Sequence, residues 1–160
     1  MTTDVATFSS GHIAQIRPLH LIVFIKRKCT MENSPQMSFP RLNEPAPPFT
    51  ARTTSGDRSL EDYRGKWLIL FSHPADFTPV CTTEFIGFAK AAPTFAKMNC
   101  ELLGLSIDSL FSHLAWMRNI KEKFDVEIPF PIIEDISMKV ASAYGMVHPG
   151  AADTQAVRAT

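Results

Sequence analysis

The chain has 160 residues, 45% of them hydrophobic and 20% charged, with sixteen basic and sixteen acidic side chains and a formal net charge of zero. That composition is enough for one globular domain with a real core, and the balanced charge leaves no electrostatic footprint for nucleic acid or an anionic membrane. Three cysteines, Cys29, Cys81 and Cys100, form no Cys-x-x-Cys pair and no zinc-like spacing, and their odd number argues against a disulfide framework, so a reducing, cytoplasmic setting is expected.

Residues 1–37 mix Ser, Thr, Met and basic residues without a sustained period and read as an irregular N-terminal extension, with the domain proper at 38–160. The apolar run Leu19–Ile25 is too short to cross a bilayer, and its basic cluster Lys26–Lys28 follows rather than precedes it, so neither a membrane helix nor a signal peptide is expected. The first 36 residues have something of a transit peptide's composition, against which Asp4 and Glu32 weigh. Met37, followed by Ser38, Phe39 and Pro40, resembles a start of its own. A proline-punctuated stretch, Phe39–Phe49, then leads into the domain.

Trp67–Phe71 is a continuous apolar run, as expected of a central strand covered on both faces. Thr78 followed by Pro79 matches an N-cap with proline at the first helical position, where its missing N–H costs nothing. Cys81 then falls in the first turn, its N–H within reach of the Thr78 hydroxyl. Helix N-termini carry unsatisfied N–H groups and partial positive charge, which favour the thiolate, the nucleophilic form. Phe85, Phe88, Ala92 and Phe95 repeat at helical spacing, and Pro93 predicts a kink or break near residues 90–93. Leu102–Ile107 reads as a second buried strand. Ser109 is placed to cap a helix with Leu110, Leu114, Met117, Ile120 and Phe124 on one side. Pro129–Ile133 supplies a third strand, residues 137–144 a brief helix stopped by Gly145, and Ala156–Thr160 the beginning of a strand. This alternation predicts an α/β fold: a mostly parallel central sheet with flanking helices and right-handed crossovers. Ligands in such folds sit beyond the carboxyl ends of the strands, where Pro74 to Cys81 would lie.

The run Phe71–Glu84, with its Pro74-x-x-x-Thr78-x-x-Cys81 core, resembles the active-site signature of the peroxiredoxins, and most closely their one-cysteine, peroxiredoxin 6-like (AhpC-TSA) group. The likeness continues through Pro40–Pro47, Asp62–Lys66, Gly104–Ser109, Pro129–Ile132 and His148–Thr154, and covers residues 38–160. It implies a thioredoxin-like fold and a thiol-dependent peroxidase that reduces hydrogen peroxide and organic hydroperoxides without metal, haem or flavin, in antioxidant defence and redox homeostasis. By position, Cys81 would be the nucleophile that becomes a sulfenic acid, and Thr78 would hydrogen-bond thiolate and peroxide. Pro74 would shield the site, Arg158 would stabilise the thiolate and the leaving oxygen, and Glu84 would position Arg158. His73 would approach the same pocket and touch substrate, as would Thr78 and Arg158. Taken singly, Thr78 is also a cap, Pro74 a strand terminator, Glu84 a first-turn carboxylate and Arg158 a surface residue; their joint spacing around Cys81 favours the functional reading. His12, His20, His113 and His148 are not expected to be catalysts.

The resemblance further implies a hydroperoxide substrate, a thiol reductant such as thioredoxin or glutathione, and a homodimer or higher homo-oligomer. Cys100 heads a strand as a small hydrophobe and Cys29 lies outside the matched region, so a one-cysteine cycle is expected. Family members continue past Arg158 into further strands and a helix. The expectation is therefore a domain whose C-terminal strands and helix are missing, with an exposed apolar edge and a loosened Arg158. Two competing readings stand beside the peroxidase. One is an inactive or chaperone-like thioredoxin-fold fragment. The other is a thiol–disulfide oxidoreductase, which needs a second cysteine close to Cys81, where Thr82, Thr83 and Glu84 stand instead.

Overall fold

Side-chain alternation along Cys100–Ser106 (β4) sets the layers of the molecule. Leu102 and Gly104 face one side of the sheet, Leu103 and Leu105 the other, as the two-residue period of a strand dictates. The computed structural model describes residues 40–147 and 155–160, all within the compact unit Pro35–Thr160. The expectations for residues 1–39, including His12, His20, Cys29 and Met37, and for the His148–Thr154 match lie outside the described residues.

The strands are Thr50–Thr53 (β1), Gly56–Ser59 (β2), Trp67–Ser72 (β3), β4 and Ile132–Glu134 (β5), and they form one five-stranded sheet in the order β2-β1-β5-β4-β3. β3, β4 and β5 are parallel, in register from Trp67 opposite Cys100 to Ser72 opposite Leu105 and from Gly104 opposite Ile132 to Ser106 opposite Glu134. β1 is antiparallel to both β2 and β5. The sheet is thus mixed, with a parallel half that carries the thiol-bearing connection and an antiparallel hairpin at the far edge.

Helices Pro79–Lys97 (α1) and Leu110–Phe124 (α2) cover one face, where Phe71, Phe85, Leu102, Trp116, Ile120 and Ile132 pack together. The short helix Lys139–Ala143 (α3) covers the other, bringing Val140 and Ala141 onto Leu103, Leu105 and Ile133. Leu103, Leu105, Ile132 and Ile133 are wholly buried, each stabilising the fold by about 1.5–3 kcal/mol relative to exposure. Ser109 caps α2 as expected, its hydroxyl accepting from Ser112 N–H at 3.2 Å, and Gly145 stops α3's exit turn with φ 68°.

Among the described residues β3 stands at the sheet's edge, in agreement with the expected exposed edge, with Trp67 exposed and its outer side met at Ser72 by an isolated antiparallel bridge to Ala159. Two other expectations need correction. Of the kink or break expected near residues 90–93 the break is not found: α1 runs through Pro93 to Lys97. The missing N–H removes one bond, and the continuous packing of Phe85, Phe88, Ala89, Ala92 and Phe95 on the sheet offsets a penalty of about 3 kcal/mol. The inward face of α2 is His113, Trp116 and Ile120, while Leu114 and Phe124 are exposed. The helix is rotated by polar contacts from distant residues described below.

Candidate functional site

The parallel half of the sheet delivers β3 to the site, and the chain then turns through residues 73–77 into α1. Thr78 is the N-cap, with extended backbone (φ −78°, ψ 144°), and Pro79 opens the helix. The first turn closes with Thr82 N–H on Thr78 O at 3.0 Å and the Thr82 hydroxyl on the same oxygen at 2.8 Å. The Thr78 hydroxyl does not cap the helix as expected; it donates back to Ala75 O at 3.1 Å and so fixes the preceding loop. Pro74 lies half-buried at the start of that loop.

Cys81 is a free thiol, 1% exposed, in the cluster that holds Phe71, Phe85 and Trp116. Arg158 reaches it from the chain's last described segment: Nη2 donates to Cys81 Sγ at 3.6 Å, and Nη1 pairs with Glu84 Oε2. The Glu84 hydrogen bond raises the Arg158 pKa above its ordinary value; slight desolvation opposes this, and the charge of Cys81 adds to it. Residues 156–159 arrive there because Ser72 N–H donates to Ala159 O at 2.8 Å, the Ser72 hydroxyl donates to Val157 O, and Val157 N–H donates to Met146 O at 2.8 Å. Arg158, Glu84 and His73 border a groove of about 430 Å³ walled by Phe71, Phe85 and Phe88.

His73 is buried against Phe85 and Trp116, with ring centroids at 4.8 and 5.1 Å. Its Nε2 meets Asp76 Oδ1 at 2.9 Å, while Nδ1 is buried without a partner. Asp76 Oδ2 meets Nδ1 of His113 at 2.8 Å, and Asp76 N–H donates to Asp108 Oδ2 at 3.0 Å. Burial pushes the Asp76 carboxyl up, but the hydrogen bonds from His113 and then His73 outweigh it and bring the pKa down to about 2. His73, Asp76 and Asp108 lie close enough for their ligand atoms to be within 4.8 Å of one another. Both Asp76 oxygens already meet imidazoles, and Asp108 Oδ2 accepts from the Ser106 hydroxyl at 2.8 Å and the Asp76 N–H.

The structure therefore gathers Cys81, Arg158 and Glu84 in contact, sets Pro74 and Thr78 in the loop leading to them, and places His73 in a second, buried polar cluster alongside. Sequence reasoning passed over Asp76 and Asp108 and set His113 aside as a catalyst. The available signal was that His113, Trp116 and Ile120 share one face of a helix at spacings of three and four. Trp116 closes the contact between helices by donating Nε1–H to the Thr82 hydroxyl at 3.1 Å.

A mixed sheet whose parallel half feeds a helix with a thiol buried in its first turn under a guanidinium defines a thioredoxin-like α/β protein with a cysteine-centred site. The chain belongs to the AhpC/TSA family, whose model matches residues 42–160. It is 60% identical over 124 residues to a peroxiredoxin of Aquifex aeolicus, covering 77% of this chain and 56% of that one. It is 58% identical over 127 residues to a peroxiredoxin of Methanosarcina mazei, covering 75% and 58%. Among solved structures, a yeast mitochondrial 1-Cys peroxiredoxin is similar at TM-score 0.64 and 46% identity, covering 76% of this chain and 56% of the other. A cysteine-to-serine mutant of the peroxiredoxin 6 of Arenicola marina is similar at TM-score 0.68 and 35% identity, covering 74% and 57%. The chain spans about half the length of the curated relatives it matches. No helix of the described residues is long and apolar enough to cross a membrane.

Proposed function

We propose that the chain carries the peroxidatic site of a thiol-dependent peroxidase, with Cys81 as nucleophile and hydrogen peroxide or an organic hydroperoxide as substrate. The Cys81 thiolate attacks the terminal peroxide oxygen. An S–O bond forms, the O–O bond breaks, and the departing oxygen takes the electron pair and a proton to leave as water or an alcohol. Sulfur is oxidised to sulfenic acid as the peroxide is reduced. Two equivalents of a thiol reductant, of the thioredoxin or glutathione kind, then restore the thiol and leave as a disulfide with one water.

The observation that carries this reading is the donation of Arg158 Nη2 to Cys81 Sγ at 3.6 Å, in the first turn of α1. A guanidinium there stabilises the thiolate and the charge that develops on the leaving oxygen, and Glu84 holds it in place. Thr78 and Pro74 shape the loop that receives peroxide, and His73 borders the groove from the side of the sheet. Membership of a family whose similar members are peroxiredoxins supports the same reaction.

The test is peroxide consumption with a thiol reductant, paired with trapping of sulfenic acid after one equivalent of peroxide and mass analysis of the adduct. The adduct falls on Cys81, Cys81→Ser abolishes turnover, and Arg158→Gln slows it by about a hundredfold. Turnover that survives Cys81→Ser refutes the assignment.

A further inference from the structure

His113 sits where a neutral imidazole cannot satisfy its surroundings. Its Nδ1 lies 2.8 Å from Asp76 Oδ2 and its Nε2 lies 3.2 Å from the carbonyl oxygen of Ile133. A carbonyl oxygen only accepts, and so does an ionised carboxylate, whereas a neutral imidazole offers one N–H and one bare nitrogen. Both contacts are hydrogen bonds only if this cluster holds one proton more than the neutral histidine and the carboxylate supply. That proton resides either on His113, as an imidazolium, or on Asp76, as a neutral acid.

The rest of the cluster decides between the two. Asp76 Oδ1 accepts from Nε2 of His73, so the carboxylate lies between two imidazole donors. The combined pull of His113 and His73 brings the Asp76 pKa to about 2 against the effect of burial, which leaves the carboxylate as the ionised partner. The pair is sealed from water, with side-chain exposures of 0% for His113 and 1% for Asp76. The charged groups around it belong to other elements. Asp108, beyond β4, accepts the Asp76 N–H and the Ser106 hydroxyl. Glu134 of β5, next to Ile133, accepts the Leu110 N–H at 2.8 Å and pairs with Arg52 of β1 at 3.5 Å. His73 completes the set, its ring 6.3 Å from that of His113.

We infer that His113 is a resident imidazolium in a buried ion pair with Asp76, and that this pair is the positioning element that holds the Pro74–Thr78 loop in register ahead of Cys81. The positioning half rests on the proposed role of Cys81. The loop needs such an anchor, because Phe77, the residue after Asp76, adopts φ 60°, a left-handed conformation that a bulky side chain keeps only when its surroundings enforce it. Asp76 supplies the enforcement by tying the loop to β3 through His73, to α2 through His113 and to the end of β4 through Asp108. The second proton is needed because Asp76 and the Ile133 carbonyl oxygen both only accept. Asp76→Asn removes the need for that proton: its amide oxygen still accepts from His73, and its amide N–H donates to a bare Nδ1 of a neutral His113.

The experiment uses the whole chain with ¹⁵N-labelled histidine. At neutral pH both ring nitrogens of His113 show one-bond N–H coupling in the wild type, and Nε2 alone shows it in Asp76→Asn. The rate of Cys81 alkylation by iodoacetamide falls by about tenfold in Asp76→Ala as the loop loosens, and Asp76→Asn, which keeps both side-chain ties, stays close to the wild type. A bare Nδ1 on His113 in the neutral wild type overturns the ion pair. Wild-type alkylation in Asp76→Ala, or a loss in Asp76→Asn equal to that in Asp76→Ala, overturns its positioning role. The ring spectrum involves no reaction of Cys81, so it stands or falls apart from the peroxidase assignment.

Discussion

Gly104 lies in the middle of β4 beneath α1, and replacing it with alanine tests how tightly helix and sheet are fitted. A Cβ at this position would stand 3.3 Å from Phe85 Cζ, 3.5 Å from Phe71 Cζ and 3.6 Å from Ile132 Cγ1. The Phe85 contact is the tight one. That ring has little room to yield, because Trp116, His73 and Phe71 flank it with centroids at 4.6, 4.8 and 5.3 Å. Overpacking of this kind costs about 1–3 kcal/mol, while alanine's smaller loss of backbone entropy returns about 0.5–1 kcal/mol. The net is a destabilisation of about 1 kcal/mol, or a fall of about 3–4 °C in Tm for a domain of this size. Phe85 is also one helical turn beyond Cys81, so a ring pushed off the sheet carries the thiol away from Arg158, and alkylation of Cys81 slows by about tenfold. Urea and thermal unfolding followed by circular dichroism give the first effect, iodoacetamide kinetics the second. Adding Phe85→Leu to Gly104→Ala opens the space and recovers part of the reactivity. Wild-type midpoints in Gly104→Ala, or a double variant that is worse on both readouts, would show that the helix does not rest on Gly104 in this way.

Thr82→Val leaves the buried Trp116 N–H without its acceptor and is expected to cost about 1–3 kcal/mol, whereas Thr82→Ser stays close to the wild type; equal losses in the two variants, measured by urea titration, would remove the bond from the account of stability. Asp76 titrates at about 2 in the folded chain against a reference of 3.8, so its depressed pKa contributes about 2 kcal/mol that is fully present above the unfolded value and lost as pH falls through the folded one. The stability advantage of the wild type over Asp76→Asn therefore shrinks by that amount between about pH 5 and pH 2, and an advantage that does not change with pH contradicts the reasoning.

The features that proved legible in the sequence are those set by neighbours along the chain. Thr78-Pro79 marks the start of α1 and Ser109 the start of α2, because capping chemistry acts over three or four residues. Strands β3 and β4 stand out as apolar runs. The hairpin of β1 and β2 left no such trace, since Thr50–Ser59 is polar and its turn is held by the Thr53 hydroxyl, which donates to Gly56 O at 2.6 Å and accepts from Ser55 N–H at 3.1 Å. The rotation of α2 was equally hidden. Its apolar periodicity counts Leu114 and Phe124 inward, yet the helix turns His113 and Trp116 to the core because their partners, Asp76 and Thr82, lie far back in the chain. The same long-range bonds explain why Cys81 and Thr78 could be singled out from the sequence while Asp76 and His113 could not. An apolar run also does not say how many strands flank it, and β3 stands at the edge of the described sheet.

Arg158 is tied to the body of the protein by a handful of bonds from Ser72 and Met146 rather than by a full ladder. Segments held so sparsely detach at a much smaller free-energy cost than the strands they touch. Detachment of this segment takes the cation away from the Cys81 sulfur. Gentle warming or dilute urea favours that detachment first, so the chemistry of the thiol fades while the circular dichroism of the helices is still intact.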